Sequence, residues 1–431
     1  MKVLIVGSGG REHTIAWKLS QSPVVDKIYC APGNPGTAGL GENVPLSADD
    51  LEGLLRFATD NSIDLTVPGP EVPLVEGIVD RFEAAGLPIV GPSAKAARLE
   101  GSKVFTKQFL EKYGIPTAAY KVFDEAADAE KELESGSFSF PVVVKADGLA
   151  AGKGVIICED LQKSLEAVSS IMKERAFGDS GNRIVIEEFL TGEEASFMAF
   201  CNGESFLPMV PSQDHKAVYD GDKGPNTGGM GAYSVDFILA PEQKAFVIDR
   251  IIIPTLKGMA AEGSPFKGIL YAGLMLTSEG PQVLEYNVRF GDPETQVILP
   301  RLESDLAEIF MKTASGQLDN CEIEWKDDCA VCVVAASGGY PGSYPKGKVI
   351  KGIPEAENLP GTIVFHAGTA EKDGTLVTSG GRVLGITATA GGLEDAIERT
   401  YQAVEMIDFD GMYFRKDIAA KGVRKLKEST N

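Results

Sequence analysis

The strongest constraint on the fold is a rhythm. Residues 1 to about 100 read K-V-L-I-V, a helix from Arg11, K-I-Y-C, a helix near Asp49, D-L-T-V, a helix from Val72, then P-I-V. Short β-branched runs alternating with helices specify a parallel α/β sheet. The loops after those strands are rich in Gly and Pro, as in G-S-G-G-R-E-H, A-P-G-N-P-G-T-A-G and P-G-P-E. Ligands gather at the carboxyl ends of strands in open α/β sheets, so a site is expected there. From Ser102 the pattern becomes α+β, with longer strands that read as antiparallel. From about Glu322 it returns to short strands and closes with a helix from Leu393 to Ile407. A length of 431 residues suggests about three domains.

Composition narrows the classes of function. The 41 basic and 62 acidic residues give a net charge of -21, which argues against a nucleic-acid or membrane-surface binder. The opening apolar run is too short for a signal peptide and no other stretch approaches a membrane span, so a cytoplasmic protein is expected. Six cysteines in so long a chain are not a disulfide framework. The pair Cys329 and Cys332 lacks a second pair to complete a zinc site, Cys321 stands alone, and His13, His215 and His366 are scattered. In C-A-V-C-V-V-A-A a strand would point the two thiols to opposite faces, which favours ordinary buried thiols.

Several motifs bear on chemistry. The stretch A-D-G-L-A-A-G-K-G-V, residues 146 to 155, is not a P-loop: Gly148 and Gly152 are one residue too close, and Gly154 stands where a metal-binding hydroxyl is required. Its flanks F-P-V-V-V-K and V-I-I-C make it a flap between two strands, able to close over phosphates. The N-terminal G-S-G-G-R-E-H lacks the last Gly and the acidic residue of a dinucleotide fingerprint. A helix start at Gly9, Gly10 and Arg11 is either a seat for a smaller anion or a plain tight turn. Lys145 ends a strand of three valines, Lys103 and Lys107 lie one turn apart, and R-I-V-I-E-E-F-L-T-G-E-E-A-S carries two acidic pairs.

The segment L-E-Y-N-V-R-F-G-D-P-E-T-Q, residues 284 to 296, is more specific. In a strand, Glu285, Asn287 and Arg289 share one face while Tyr286, Val288 and Phe290 share the other. A carboxylate beside an amide oxygen suits a hard divalent cation, and the Arg is placed to stabilise charge on a transferring phosphoryl group. The polar run from Gln213 to Tyr233 is a long loop of the kind that carries function, with Asp214, Lys216 and Asn226 as its contacts.

Together these motifs, with G-S-K-x-F-T-K, S-Q-D-H-K and G-P-N-T-G-G-M-G-A-Y, resemble over essentially the whole chain the ATP-grasp ligases, and within them the phosphoribosylamine glycine ligase family of purine biosynthesis. The resemblance implies an α/β and α+β multidomain fold. Its parts would be an N-terminal parallel-sheet pre-ATP-grasp domain (1–101), a two-lobed ATP-grasp domain (102–325, flap lobe about 122–191) and a small C-terminal α+β domain (326–431). It implies ligation of glycine to 5-phosphoribosylamine through a glycyl phosphate, with ATP and magnesium, or manganese in its place. For ATP it implies Lys103, Lys145, Gly152, Lys153, Gly154, the hinge of Glu187, Glu188 and Leu190, and Glu193 at the ribose. It implies Glu285 and Asn287 as metal ligands, with Arg289, Lys145 and Asp292 as catalytic residues. Gly9, Gly10, Glu71, Asp214, Lys216, Asn226, Arg289 and Gly291 would hold the other substrates. A third acidic metal ligand, common in the superfamily, is missing from the preceding strand, which reads Y-A-G-L-M-L. The implied partners are small molecules alone, without nucleic acid or membrane, and the implied state is a monomer or weak dimer.

Overall fold

The computed structural model describes residues 1–149, 154–319 and 321–430. The first apolar run forms the strand Lys2–Gly7, flanked by parallel strands Lys27–Pro32 and Leu65–Pro68, with the short Glu42–Asn43 at one edge. Leu4 and Val6 pack into one core and Val3 and Ile5 into another, so both faces are covered and the run is apolar throughout. The last expected strand, P-I-V, shrinks to a single parallel bridge between Thr66 and Ile89. Pro88 has no N–H to extend the ladder, and Gly91 turns the chain away at φ +155°.

Helices Ala94–Gly101 and Lys103–Lys112 lead into the second part, broken at Ser102, whose hydroxyl accepts from the Phe105 N–H at 3.1 Å. A four-stranded antiparallel sheet follows in the order Tyr120–Phe123, Ile184–Glu188, Val142–Ala146, Val155–Cys158. Val142, Val144, Ala146, Ile184 and Ile186 point into this lobe's own core. The period of two therefore sends Val143, Lys145, Val185 and Glu187 to the opposite face, over the cleft. The second lobe is an antiparallel sheet in the order Phe206–Pro208, Glu193–Asn202, Lys267–Thr277, Gly280–Asn287.

The run Gln213–Tyr233, expected as a loop, is largely strand. Gln213–Asp214 pairs with Gly231–Ser234, and between them Ala217–Tyr219 pairs with Lys223–Asn226. Its polar residues concealed this, because its pairing partners supply the order that its own composition lacks. Gly231–Ser234 also pairs with Cys329–Ser337, so the C-terminal sheet runs Gln213–Asp214, Gly231–Ser234, Cys329–Ser337, Arg382–Ala390, Thr362–His366. The sheet thus takes two strands from within the 102–325 segment. Helix Leu393–Met406 packs on it, and buried Arg415 ties the hairpin down through the Ala217 carbonyl (3.0 Å), Asp222 (3.0 Å) and Asp417 (2.7 Å). Cys329 and Cys332 lie three apart on one strand and face opposite sides; burial pushes the Cys332 thiol up to about 12.

Candidate active site

The two lobes, the N-terminal sheet and the C-terminal sheet enclose one cavity of about 540 Å³. Its apolar end is lined by Val143, Val155, Ile157, Leu190, Met275 and Leu284, a slot suited to a flat heterocycle. Glu188 and Leu190 of the interlobe hinge line it. Glu187 also lines it, but its carboxylate is buried and ion-paired with both Lys107 and Lys145. Burial pushes the Glu187 carboxyl up, and the two lysines outweigh this to hold it below its usual range. Burial pulls Lys107 down to about 8 against the upward pull of Glu187. Lys107, unremarkable in the sequence, is thus the partner that balances the hinge. Glu193 stands exposed, outside the cavity lining. Strand alternation turns its neighbour Glu194 inward instead, where it meets Lys216 at 2.5 Å.

Next along the cavity come the cations. Lys145 donates to the Leu284 carbonyl at 3.2 Å besides its pairing with Glu187, which leaves one of its three donors for a ligand. Lys103 donates to the Gly148 carbonyl at 3.1 Å, reaching the base of the flap. Asp147 anchors that base, accepting from Ser102 (2.8 Å), the Val104 N–H (3.1 Å) and Arg183 (2.6 Å). Gly148, at φ +125°, sits where a Cβ would lie 2.6 Å from the Ser180 hydroxyl, so any other residue would be strained in its backbone and would push Ser180 aside. Gly154 lines the cavity; Gly152 and Lys153 lie outside the described residues.

Glu285 and Asn287 line the cavity, while Tyr286, Val288 and Phe290 are buried behind them. Neither Glu285 nor Asn287 spends its side-chain oxygens on a hydrogen bond to a described residue. Burial pushes the Glu285 carboxyl up, but Lys216, Lys145, Lys103 and Arg289 together hold it below its usual range, so it is an anion at neutral pH. A carboxylate and an amide oxygen, both open, fit a hard divalent cation that keeps water and phosphate oxygens as further ligands. Gly273 occupies the position paired with Glu285 on the neighbouring strand, so that strand offers no third carboxylate there.

Beyond this pair lies a polar network. Arg289 reaches Glu100 at 2.7 Å, Glu71 at 3.3 Å and the Phe290 carbonyl at 3.2 Å. Its charge, expected to face a transferring phosphoryl group, is therefore clamped by two carboxylates from the N-terminal side. Asp214 is pushed up to about 7 by burial and by Glu294, Glu194 and Glu285, against Lys216. Tyr271 donates to Glu294 at 2.6 Å, and Gly291 permits that approach, since a Cβ there would fall 2.3 Å from Glu294 Oε2. Gly291 itself is outside the lining; Asn226 and Glu71 are in it.

At Gly9 and Gly10, the expected anion seat, carboxylates of the chain itself stand close. The Gly9 N–H donates to Glu12 at 2.5 Å and the Arg11 N–H to Asp292 at 3.2 Å, so the chain's own carboxylates occupy the helix start. Gly10 packs against Gln296 instead of lining the cavity. The histidines are not all scattered either: His13 and His366 stack edge-to-face at 5.5 Å, and the His366 N–H donates to His13 Nδ1 at 2.8 Å. Sequence reasoning also missed Glu100, Glu194, Glu294 and Arg382. Glu194 and Glu294 were recoverable from alternation and from the E-T-Q motif; nothing around Glu100 or Arg382 marks them.

A two-lobed cleft with a strand-flanked flap on one side and a Glu/Asn pair on the other defines an ATP-grasp enzyme. The biotin carboxylase domain of the 2-oxoglutarate carboxylase of Hydrogenobacter thermophilus shares this fold, with a TM-score of 0.72 at 17% identity over 96% of this chain and 91% of that one. The family models for phosphoribosylglycinamide synthetase match in order: the N domain at residues 1–100, the ATP-grasp (A) domain at 101–295 and the C domain at 330–421. The chain belongs to the phosphoribosylglycinamide synthetase family. It is 51% identical over 427 residues to a phosphoribosylamine–glycine ligase of Brucella melitensis, covering 99% of both. The crystal structure of the Thermotoga maritima phosphoribosylamine–glycine ligase superposes with a TM-score of 0.84 at 37% identity, over 97% of this chain and 100% of that one. A bifunctional purine biosynthetic protein of Schizosaccharomyces pombe is 51% identical over 421 residues, which are 96% of this chain and 53% of that protein.

Proposed function

We propose that the chain ligates glycine to 5-phosphoribosylamine, converting ATP to ADP and phosphate. The observation that carries this reading is a single cavity that runs from an apolar slot, past an open Glu285/Asn287 pair, to a polar wall built from the N-terminal and C-terminal domains. A nucleotide, an activated carboxylate and an amine can meet inside it without crossing solvent.

In this mechanism a glycine carboxylate oxygen attacks the γ-phosphorus of ATP, and ADP departs. Glycine's carboxylate is a poor acylating agent until one oxygen becomes a phosphate leaving group. The amine nitrogen then attacks the carbonyl carbon of glycyl phosphate, phosphate leaves with the C–O bonding pair, and the nitrogen gives up a proton. Glu188 and Leu190 frame the adenine, and Lys103 and Lys145 bind the phosphates. Glu285 and Asn287 would hold magnesium, or manganese, which draws charge from the phosphate oxygens when bound. Arg289, fixed by Glu71 and Glu100, orients this wall of the cavity while Asp292 holds the helix start at Arg11. Lys216, paired with Glu194, and Asn226 bring the hairpin to the reacting end. Closing the flap would exclude water, which an acyl phosphate requires. All reactants are small and polar, which suits cytoplasmic work by a monomer or weak dimer of net charge -21 with no described helix long and apolar enough to cross a membrane.

The test is ADP release by purified protein with ATP and magnesium, adding glycine and freshly formed phosphoribosylamine separately and together. Release only with both, with a product of the summed mass less water, supports the ligase. Release that ignores the amine, or that accepts bicarbonate in place of glycine, sinks it.

A further inference from the structure

Arg382 begins the strand Arg382–Ala390 of the C-terminal sheet and reaches back into the cavity lining. Its Nη1 donates to the carbonyls of Gly228 at 2.6 Å and Asp292 at 2.7 Å, and lies 3.3 Å from Asp292 Oδ1. These contacts fix the plane of the guanidinium. Its Nε and Nη2 have no hydrogen-bond partner among the described residues, and the side chain is 23% exposed. On the other side of Asp292 stands Arg11, whose backbone N–H donates to Oδ2. The Arg11 Nε is taken by Glu12 at 2.6 Å and its Nη1 by the Phe290 carbonyl at 3.0 Å. Its Nη2 has no partner among the described residues, and Arg11 too lines the cavity. The Arg382 guanidinium, held through Nη1, and the Arg11 guanidinium, held through Nε and Nη1, thus each keep an open nitrogen, and against the upward push of burial the charges of both pull down the one Asp292 carboxyl.

The nucleotide end has its own cations in Lys103 and Lys145, so ATP does not call for this second set. Guanidinium forks match phosphate oxygens in geometry as well as charge, and fixing one corner beforehand lowers the entropy cost of engaging the other. We infer that Arg382 and Arg11 bind the 5-phosphate of the amine substrate and make the enzyme selective for the phosphorylated sugar amine over the unphosphorylated one. This rests on the ligase reading for the identity of the amine. The C-terminal domain then contributes directly to substrate recognition through Arg382, which lies 90 residues from Asp292 and 154 from Gly228 in sequence.

The experiment compares phosphoribosylamine with ribosylamine, each formed from its sugar and ammonia, at saturating ATP and glycine. In Arg382→Met the preference for the phosphorylated amine should fall about 10- to 100-fold, the factor expected for one charge-assisted contact. The loss should fall on KM for phosphoribosylamine, with kcat/KM for ribosylamine and KM for ATP little changed, and Arg382→Lys should keep part of the preference. A merely structural Arg382 predicts equal losses for both amines, and that result overturns the inference. A second arm needs no turnover: ribose 5-phosphate binding, measured calorimetrically with ADP filling the nucleotide end, should exceed that of ribose in the wild type and weaken by the same factor in Arg382→Met. Equal binding to wild type and variant overturns the subsite. A wild type that binds ribose 5-phosphate in this way yet releases no ADP with glycine and phosphoribosylamine would sink the ligase reading and leave the phosphate subsite standing.

Discussion

Replacing Glu187 by Gln removes one charge from the hinge and leaves the volume of the side chain unchanged. In the wild type this carboxylate answers two lysines, Lys107 and Lys145, with all three side chains under a tenth exposed. Taking away the anion leaves two buried cations without a counter-charge, a change that costs about 3–5 kcal/mol when nothing relaxes. One route of relaxation is open, because Lys107 already sits at about 8 and loses the upward pull of Glu187 in the variant. Its pKa then falls further, and Lys107 sheds its proton at a pH where the wild type keeps it. The sign follows from proton counting: a folded variant that binds fewer protons than the folded wild type recovers stability relative to it as pH rises. The deficit should shrink by up to about 1.4 kcal/mol per pH unit until pH approaches 8, and stay level above that, where Lys107 is neutral in both. Urea unfolding followed by amide exchange in Val142–Ala146 and Ile184–Glu188, from pH 6 to 9, reads this lobe separately from the others. A deficit that does not change with pH, or that grows toward pH 8, would refute the assignment of Lys107 as the titrating partner.

Three further outcomes are expected. Glu285→Gln should cut ADP release at least about 100-fold with the circular dichroism spectrum unchanged, because it weakens a metal ligand worth several kcal/mol at the transition state; near-normal turnover at ordinary magnesium would remove Glu285 from that role. Gly268→Ala should cost at least about 2 kcal/mol, seen as a lowered Tm, since residue 268 sits at φ +100° and a Cβ would fall 2.7 Å from the Gly91 Cα. Asp214 is raised from 3.8 to about 7, so its stability contribution is complete below pH 4 and is lost as pH rises through 7. Asp214→Asn should therefore be more stable than wild type at pH 8, with the gain fading toward pH 5, and urea midpoints at the two pH values decide it.

The parts of this molecule that were legible in the sequence are those governed by neighbours along the chain. Lys2–Gly7 is buried on both faces, so its run is apolar throughout and reads as a parallel strand. The period of two in V-V-V-K-A and in L-E-Y-N-V-R-F separates core from cleft, and it places Lys145, Glu285 and Asn287 over one cavity. The same rule, applied one residue further at Glu193 and Glu194, identifies the inward carboxylate as the second. What the sequence concealed depends on partners far away. At the helix start, nothing nearby in sequence shows that Asp292, 281 residues from Arg11, accepts the Arg11 N–H. The hairpin from Ala217 to Asn226 looks like loop because it is ordered by contacts to Arg415 and to the C-terminal sheet. Nothing around Arg289 in the sequence shows that Glu71 and Glu100 pair with it.

The strand Gly231–Ser234 has a consequence for how such a chain can be inherited and rearranged. It joins Cys329–Ser337 in a ladder although some ninety-five residues of the large lobe lie between them in sequence, a separation fixed by the pairing of Ser234 with Ala330. A gene break anywhere in that interval would separate the two halves of one sheet, leaving each product with an unpaired apolar edge prone to self-association. The C-terminal region is therefore not a module that can be exchanged, trimmed or expressed alone. Fusion at either terminus leaves the shared sheet whole, and the Schizosaccharomyces pombe relative, of which this chain matches 53%, carries the unit in that undivided form. What recombines without breaking that sheet is the whole chain, since its strands come from both sides of the large lobe.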